Sequence, residues 1–584
     1  MKKFLFLLLF VQCAISNLAI GQFVLDQSSA GNTSILIDVK SNPTIQRAAT
    51  ELQKYIKKSI GITLPIETKT KNSNRIIIGS PAYIQSVNQA IKVPQLDYDS
   101  YVIITNGNDL ALAGGVRNGP LYAVYTFLDE YVGLKLLAPD AMVIPKIKRL
   151  PLPAINLVET PSLILRDVVY RPAIDTLYGY WHKLAYATYL QPLYGNFAHT
   201  GFQIMPPSQY FKDHPEYYSL VNGKRQPYQL DYSNKDVQRI VTGWLNAQIL
   251  AKPQYQYWTL GIEDNKFYCQ CPDCKRIIDS TGTPGGPVIV FANYLAKFFW
   301  KKNISTLAYS FVSPPPTQNI KLNSNLNIIY CAKAKNFPGL YTSNTYAEME
   351  NELSGWERLT KNIFIWDYVI DFGALESVFA NLKNLKPNLN YFIRKGIKGY
   401  YAQGNYFPKG EFAELRTYLL AKLVVHPDLD DNKLIDEFLN GFYGPAAPTL
   451  KKYIQLTSSQ LSGAPNMMTI DMAKNYTALF DEAEKSVMHD TLYLKRVQKE
   501  KMCLDYSAVQ CYLRTAKEKP DIFFKNNDNV TTYRKHLEDF LNSLVKFSIV
   551  RLVFAQNSAP MYQYYTQWKN QMDTLQIINL KKRK

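Results

Sequence analysis

Between residues 162 and 401 the chain alternates short apolar runs with longer amphipathic ones, and this alternation limits its fold more than any other feature. Strand-like runs fall at 162–170 (SLILRDVVY), 257–262, 305–311, 326–330, 363–366 and 397–401, with helical stretches at 236–250, 288–301 and 345–359. Near-continuous apolar runs of this length suit strands covered on both faces, which is the condition of a parallel sheet with crossover helices. Repeated across residues 156–425, the pattern predicts an α/β fold, a (β/α)8 TIM-like barrel. An open doubly wound sheet is the alternative, although no Gly-rich phosphate loop accompanies it.

At 584 residues the chain exceeds what one core holds. Residues 22–155 read as a small α/β accessory domain. In it a strand at 34–39 leads to a helix opened by Pro43 and closed by Gly61, and a hairpin is centred on Asn106-Gly107-Asn108-Asp109. A second helix follows Pro120. The Pro-rich stretch 145–161 reads as a linker. Beyond His426-Pro427 strand signals nearly vanish, so residues 426–584 are expected to form a C-terminal helical domain.

Residues 1–21 carry Lys2 and Lys3, an apolar core from Phe4 to Val11, and the small-x-small site Ala19-Ile20-Gly21. This is the pattern of a signal peptide cleaved after Gly21, placing the protein in the periplasm or outside the cell. No later segment offers about 18 uninterrupted apolar residues, so no transmembrane segment is expected. The formal charge of +18 is scattered rather than clustered, which argues against nucleic acid and for an anionic substrate or surface. Tyrosine is abundant, at 42 against 28 Phe and 7 Trp. Such rings can stack on the apolar face of a sugar while their hydroxyls bond sugar hydroxyls, or can serve as half-buried core.

In a barrel the active site lies at the carboxyl ends of the strands. Glu263 and Asp264 follow the run ending at Ile262 and are the first candidates for carboxylate acid/base catalysis. Neighbours on a regular strand face opposite ways, so the two share a site only if the strand has ended. Asp367, between Trp366 and Tyr368, is the second candidate acid, with those rings as sugar-stacking partners. His199 and Trp181 are further candidates for substrate binding. Cys269, Cys271 and Cys274 form C-x-C-x2-C, a spacing that suits a structural zinc with Cys331 as fourth ligand, or else a disulfide. No cofactor is required for the expected catalysis.

Two resemblances add to this reading. GGVRNGPLYAVYTFLDEYVGLKLLAP at 114–139, with ELQKYIKKSIGITLPI, resembles the small domain preceding the barrel of bacterial β-hexosaminidases (glycoside hydrolase family 20) and α-glucuronidases (family 67). Four further stretches together resemble the bacterial family catalogued as domain of unknown function 4838, regarded as glycoside-hydrolase-like. They are HTGFQIMPPSQYFKDHPEYYSLVNGKR at 199–225, the Cys cluster, IFIWDYVIDF at 363–372, and LRTYLLAKLVVHPDLDDNKLIDEFLNGFYGPAAP at 415–448. Family 20 places an adjacent Asp-Glu pair at such a strand end, the reverse of Glu263-Asp264. It also has a substrate-holding Arg that Arg166 resembles. These resemblances imply an exported glycoside hydrolase acting on a polysaccharide or oligosaccharide. The alternative is a non-catalytic glycan-binding protein on the same scaffold.

Overall fold

The computed structural model describes residues 23–186, 193–318, 320–332, 339–406, 410–461, 467–549, 552 and 561–582. The leader-like residues 1–21 lie outside them. Two compact units are present, one comprising the chain to Lys135 plus Ile144–Thr160, the other Leu136–Val143 plus Pro161 onward. Among the described residues no helix is long and apolar enough to cross a membrane.

The first unit is a six-stranded mixed sheet. Its order is Asn156–Glu159, Tyr101–Asn106, Asp109–Gly114, Asn74–Gly79, Thr33–Ile37 and Ile66–Glu67. The helix Pro43–Ile60 begins where the Asn42 side chain accepts from the Ile45 N–H, and it ends at Gly61 with φ +86°. The hairpin is tighter than expected: Asn106 pairs with Asp109, leaving Gly107-Asn108 as a two-residue turn. The Pro-rich stretch is not a free linker. Arg149–Pro151 pairs with Val24–Asp26, and Asn156–Glu159 adds an edge strand to the sheet. Arg149–Pro151 belongs to a two-stranded pairing, an edge position where Pro151 is tolerated because its missing N–H faces outward.

In the second unit the six strand-like runs are all strands: β1 Leu165–Val169, β2 Tyr257–Leu260, β3 Asn303–Ala308, β4 Leu326–Cys331, β5 Ile363–Tyr368 and β6 Gly399–Gln403. They form one parallel sheet in the order β1-β6-β5-β4-β3-β2. Helices including Lys235–Ala251, Gly286–Phe298, Ala347–Leu359 and Leu382–Arg394 supply the crossovers. The sheet is curled. In a flat sheet β2 and β5 would lie three strand spacings apart, roughly 14 Å, yet the rings of Tyr257 and Phe364 are 5.9 Å apart.

Among the described residues the parallel sheet has six strands, not the expected eight. At the two edges, Ala185 forms an isolated bridge with Arg166 of β1 and Tyr194 one with Tyr257 of β2. Ala185 and Tyr194 thus each meet one edge strand, and residues 187–192 between them are outside the described set. The α/β architecture holds, with a partial parallel barrel in place of a closed eightfold one.

After β6 the regular elements among the described residues are helices, from Ala413–Leu423 through Asp431–Tyr443, Ala447–Leu461, Ile470–Ser486, Thr491–Glu518 and Asn527–Lys546 to Met561–Lys582. The long helix Thr491–Glu518 reaches the helix following β6 through a buried polar network. Glu500 Oε2 accepts the Phe412 N–H at 2.6 Å and Glu500 Oε1 accepts the Tyr443 hydroxyl at 2.9 Å. Phe412, at φ +48°, begins Ala413–Leu423, so Glu500 satisfies a helix-start donor that has no intrahelical partner. Burial, with the Glu414 carboxylate nearby, holds the Glu500 carboxyl above its ordinary value of 4.5.

An acid raised in the folded state stabilises the fold while protonated, and that contribution is lost as pH climbs from about 4.5 toward neutrality. Urea denaturation of wild type should show lower stability at pH 8 than at pH 5. Glu500→Gln should flatten the difference by on the order of 2 kcal/mol; parallel pH profiles would exclude Glu500 as its source.

Candidate active site

β2 is an edge strand, and its outward backbone groups must find partners. The segment 195–201 supplies them largely with side chains. Asn196 Nδ2 donates to the Thr259 carbonyl at 2.9 Å and its Oδ1 accepts the Thr259 N–H at 2.8 Å. Thr200 Oγ1 donates to that carbonyl at 2.9 Å and accepts the Gly261 N–H at 2.8 Å. The fit is close enough to require a bare Cα: a Cβ on Gly261 would lie 1.8 Å from the Ala198 carbonyl oxygen. Ala198 itself sits at φ +68°, a left-handed conformation that costs a non-glycine residue about 1 kcal/mol or more. That turn places His199, whose Nδ1 is 2.8 Å from the Ile262 carbonyl.

The strand has ended at Leu260 before the two acids emerge, so they need not oppose each other. Glu263 is half-buried, and its Oε1 accepts the Phe202 N–H at 2.9 Å. Its backbone is fixed by Gln229, whose Nε2 donates to the Glu263 carbonyl at 2.7 Å and whose Oε1 accepts the Glu263 N–H at 2.9 Å. Burial raises the Glu263 carboxyl above its ordinary value, opposed by the Phe202 donor and by His199. Asp264 is exposed, and its charge lies near Tyr309, Cys331 and Tyr368.

Those three residues end neighbouring strands. Tyr309 follows β3, Cys331 closes β4 and Tyr368 closes β5. Burial is the main cause that raises each of them above its ordinary range, with Asp264 adding to it. The wall is aromatic. The His199 and Tyr309 rings are nearly parallel at 6.1 Å, with Nε2 3.5 Å from the Tyr309 hydroxyl. Trp366 lies 6.3 Å from His199, 4.6 Å from Tyr401 and 5.6 Å from Phe197. The Trp366 indole N–H donates to Gln403 Oε1 at 2.6 Å, which fixes the ring.

Glu263, Asp264, His199, Trp366 and Tyr368 are therefore brought to one face, at the carboxyl ends of the strands. Asp367, Arg166 and Trp181 are not. Side chains alternate along a strand, and with Trp366 and Tyr368 facing the cleft, Asp367 faces the helices. It is 1% exposed, its two oxygens accept the hydroxyls of Tyr341 and Tyr400, and desolvation raises its carboxyl. Arg166 shares a register row with Tyr400 and so faces the same outer side. It is 1% exposed, its Nε donates to the Lys183 carbonyl at 2.8 Å and its guanidinium also reaches the Leu163 carbonyl. Trp181 ends the short helix Thr176–Trp181 and is 1% exposed, leaving no open ring face for a sugar.

The sequence reading missed Tyr309, Tyr401 and Gln403. Tyr309 follows the observed strand, which ends at Ala308, but it lies inside the strand-like run 305–311, so the strand-end rule that selected Asp264 passed over it.

The cysteines divide. Cys331 stands in the cleft and is not the fourth partner of the C-x-C-x2-C motif. That place is taken by Asp231, whose carboxylate lies with the Cys269, Cys271 and Cys274 sulfurs inside a 4.8 Å limit, all four residues buried. Among the described residues the six cysteines form no disulfide.

A family model described as glycosyl hydrolase family 67 N-terminus matches residues 23–127. No curated protein matches the chain. Among solved structures, a family GH115 4-O-methyl-α-glucuronidase with specificity for decorated arabinogalactans aligns at TM-score 0.54 and 12% identity, over 89% of this chain and 77% of that one. CpGH84B aligns at 0.45 and 11%, over 93% and 97%. A GH138 enzyme targeting pectin rhamnogalacturonan II aligns at 0.44 and 10%, over 94% and 100%. The first of these likenesses establishes a shared glycosidase-like fold. The model described as domain of unknown function (DUF4838) matches residues 136–455, more than half of the chain, and the chain belongs to that family.

Proposed function

We propose that the cleft hydrolyses a glycosidic bond in a polysaccharide or oligosaccharide. The observation that carries this reading is the convergence of Asp264, His199, Tyr309, Trp366 and Tyr368 at the carboxyl ends of adjacent parallel strands. Glu263, raised by burial, keeps a proton closer to neutrality than an exposed glutamate would, and it delivers that proton to the leaving oxygen. Asp264 takes a proton from the attacking water, and its charge stabilises the positive charge that develops on the sugar ring. The two carboxyl groups then exchange protons with solvent to restore the starting state. Trp366, held by Gln403, offers the sugar an aromatic face. The charge of +18 favours an anionic glycan. Export through the leader-like residues 1–21 belongs to the same reading, as do a barrel domain over 156–425 and a helical domain over 426–584.

A second reading, glycan binding without cleavage, is favoured by one observation. Asp367, the other acid expected in the site, is locked on the far side of β5.

A panel of acidic and neutral glycans should yield product with wild type. Asp264→Asn and Glu263→Gln should each lower kcat/KM by about 10²–10⁴. Asp367→Asn should leave kcat/KM near wild type and lower stability by about 1–3 kcal/mol, because one buried tyrosine hydroxyl loses its carboxylate acceptor. Unchanged turnover in Asp264→Asn would remove that residue from the chemistry. Glycan retained by wild type with no product on long incubation would establish the second reading instead.

A further inference from the structure

The C-x-C-x2-C motif is unused by the cleft, and the structure gives it a partner that no sequence spacing indicates. We propose that Asp231, Cys269, Cys271 and Cys274 form a tetrahedral structural zinc site that fastens the hairpin Tyr218–Val221/Lys224–Leu230 to the loop carrying Glu263 and Asp264.

The geometry is that of a ligand set. Zn–S bonds of about 2.3 Å put tetrahedral sulfur pairs roughly 3.8 Å apart. The four donor atoms all lie within 4.8 Å of one another, with Cys274 Sγ 3.2 Å from Asp231 Oδ1. Zinc binding replaces the thiol protons, including the one that Cys274 directs at Asp231, and releases them to solvent. Three thiolates and one carboxylate suit zinc, since soft sulfur donors disfavour calcium and magnesium.

The surroundings are those of thiolates rather than of a packed apolar trio. The Leu220 N–H donates to Cys269 Sγ at 3.3 Å and the Cys274 N–H to Cys271 Sγ at 3.4 Å. Ser233 Oγ lies 3.5 Å from Cys271 Sγ and donates to Asp231 Oδ1 at 2.6 Å. Arg225 bonds Asp231 Oδ2 at 2.9 Å and lies 4.0 Å from Cys269 Sγ, so a guanidinium offsets the net negative charge a four-anion site would carry. Cys271 also caps the helix Pro272–Thr281.

The site is built at a junction. Besides the Gln229 bonds to Glu263, Asn265 Nδ2 donates to the Tyr228 carbonyl at 2.8 Å and the Gln270 N–H to the Leu220 carbonyl at 2.8 Å. The metal would close the far end of this seam.

The test uses the full chain prepared with zinc present. Elemental analysis should give one zinc per chain, and cobalt substitution should give the intense visible bands of a tetrahedral thiolate site. Alkylation followed by peptide mass mapping should find Cys269, Cys271 and Cys274 protected until a chelator is added. Cys274→Ser should lose stoichiometric zinc and Asp231→Ala should bind it at least tenfold more weakly, whereas Cys331→Ser should retain it. Should either ligand variant misfold, the alkylation result on wild type decides. Absence of zinc, a disulfide within the motif, or zinc binding unchanged in Asp231→Ala would overturn the proposal.

Discussion

The exposed edge of β2 is the constraint on which the cleft depends. An edge strand of a parallel sheet cannot leave its N–H and C=O groups unpaired once they are covered. Here, among the described residues, no regular neighbour strand takes them. Asn196 and Thr200 act as substitutes for a backbone ladder, and the remaining features follow from that substitution. Gly261 is bare so that the Ala198 carbonyl can approach, Ala198 takes a left-handed turn, and His199 is delivered against Ile262. Glu263 and Asp264 then emerge from a backbone already held on both sides.

The same fixing acts from the other direction through Gln229. Its amide forms a two-way bond with the Glu263 backbone and comes from a hairpin outside the parallel sheet. Two independent pieces of chain, 195–201 and 224–230, thus converge on one strand end. A loop held this way loses little further entropy when a ligand arrives, which is the physical content of preorganisation.

Much of this was legible in the sequence. Six strands could be placed because buried parallel strands are apolar along their whole length, and strand ends could be located because polarity returns there. The failures are of two kinds. Asp367 was misplaced although parity was available: a tryptophan and a tyrosine on either side of it share one face, and an acid between them must take the other. Arg166 failed for the same reason, facing outward between inward-facing neighbours. The fourth partner of the cysteines failed differently. Asp231 lies 43 residues before Cys274, and only the folded hairpin brings them together. Spacing rules reach local pairs, whereas this one is set by topology.

The link between Glu500 and Phe412 joins residues 88 positions apart. On a ribosome adding about 5–20 residues per second, the donor at the start of the helix after β6 waits on the order of ten seconds for its acceptor to be made. Until then the last helix of the parallel-sheet region lacks the buried carboxylate that fixes its first turn. The ladder pairings of the sheet all lie between Leu165 and Gln403, so a chain grown to that point carries the partners of the cleft's scaffold while the helix that follows still lacks its anchor. The helical tail is then less an appendage than the part of the chain that fixes the helix following the sheet.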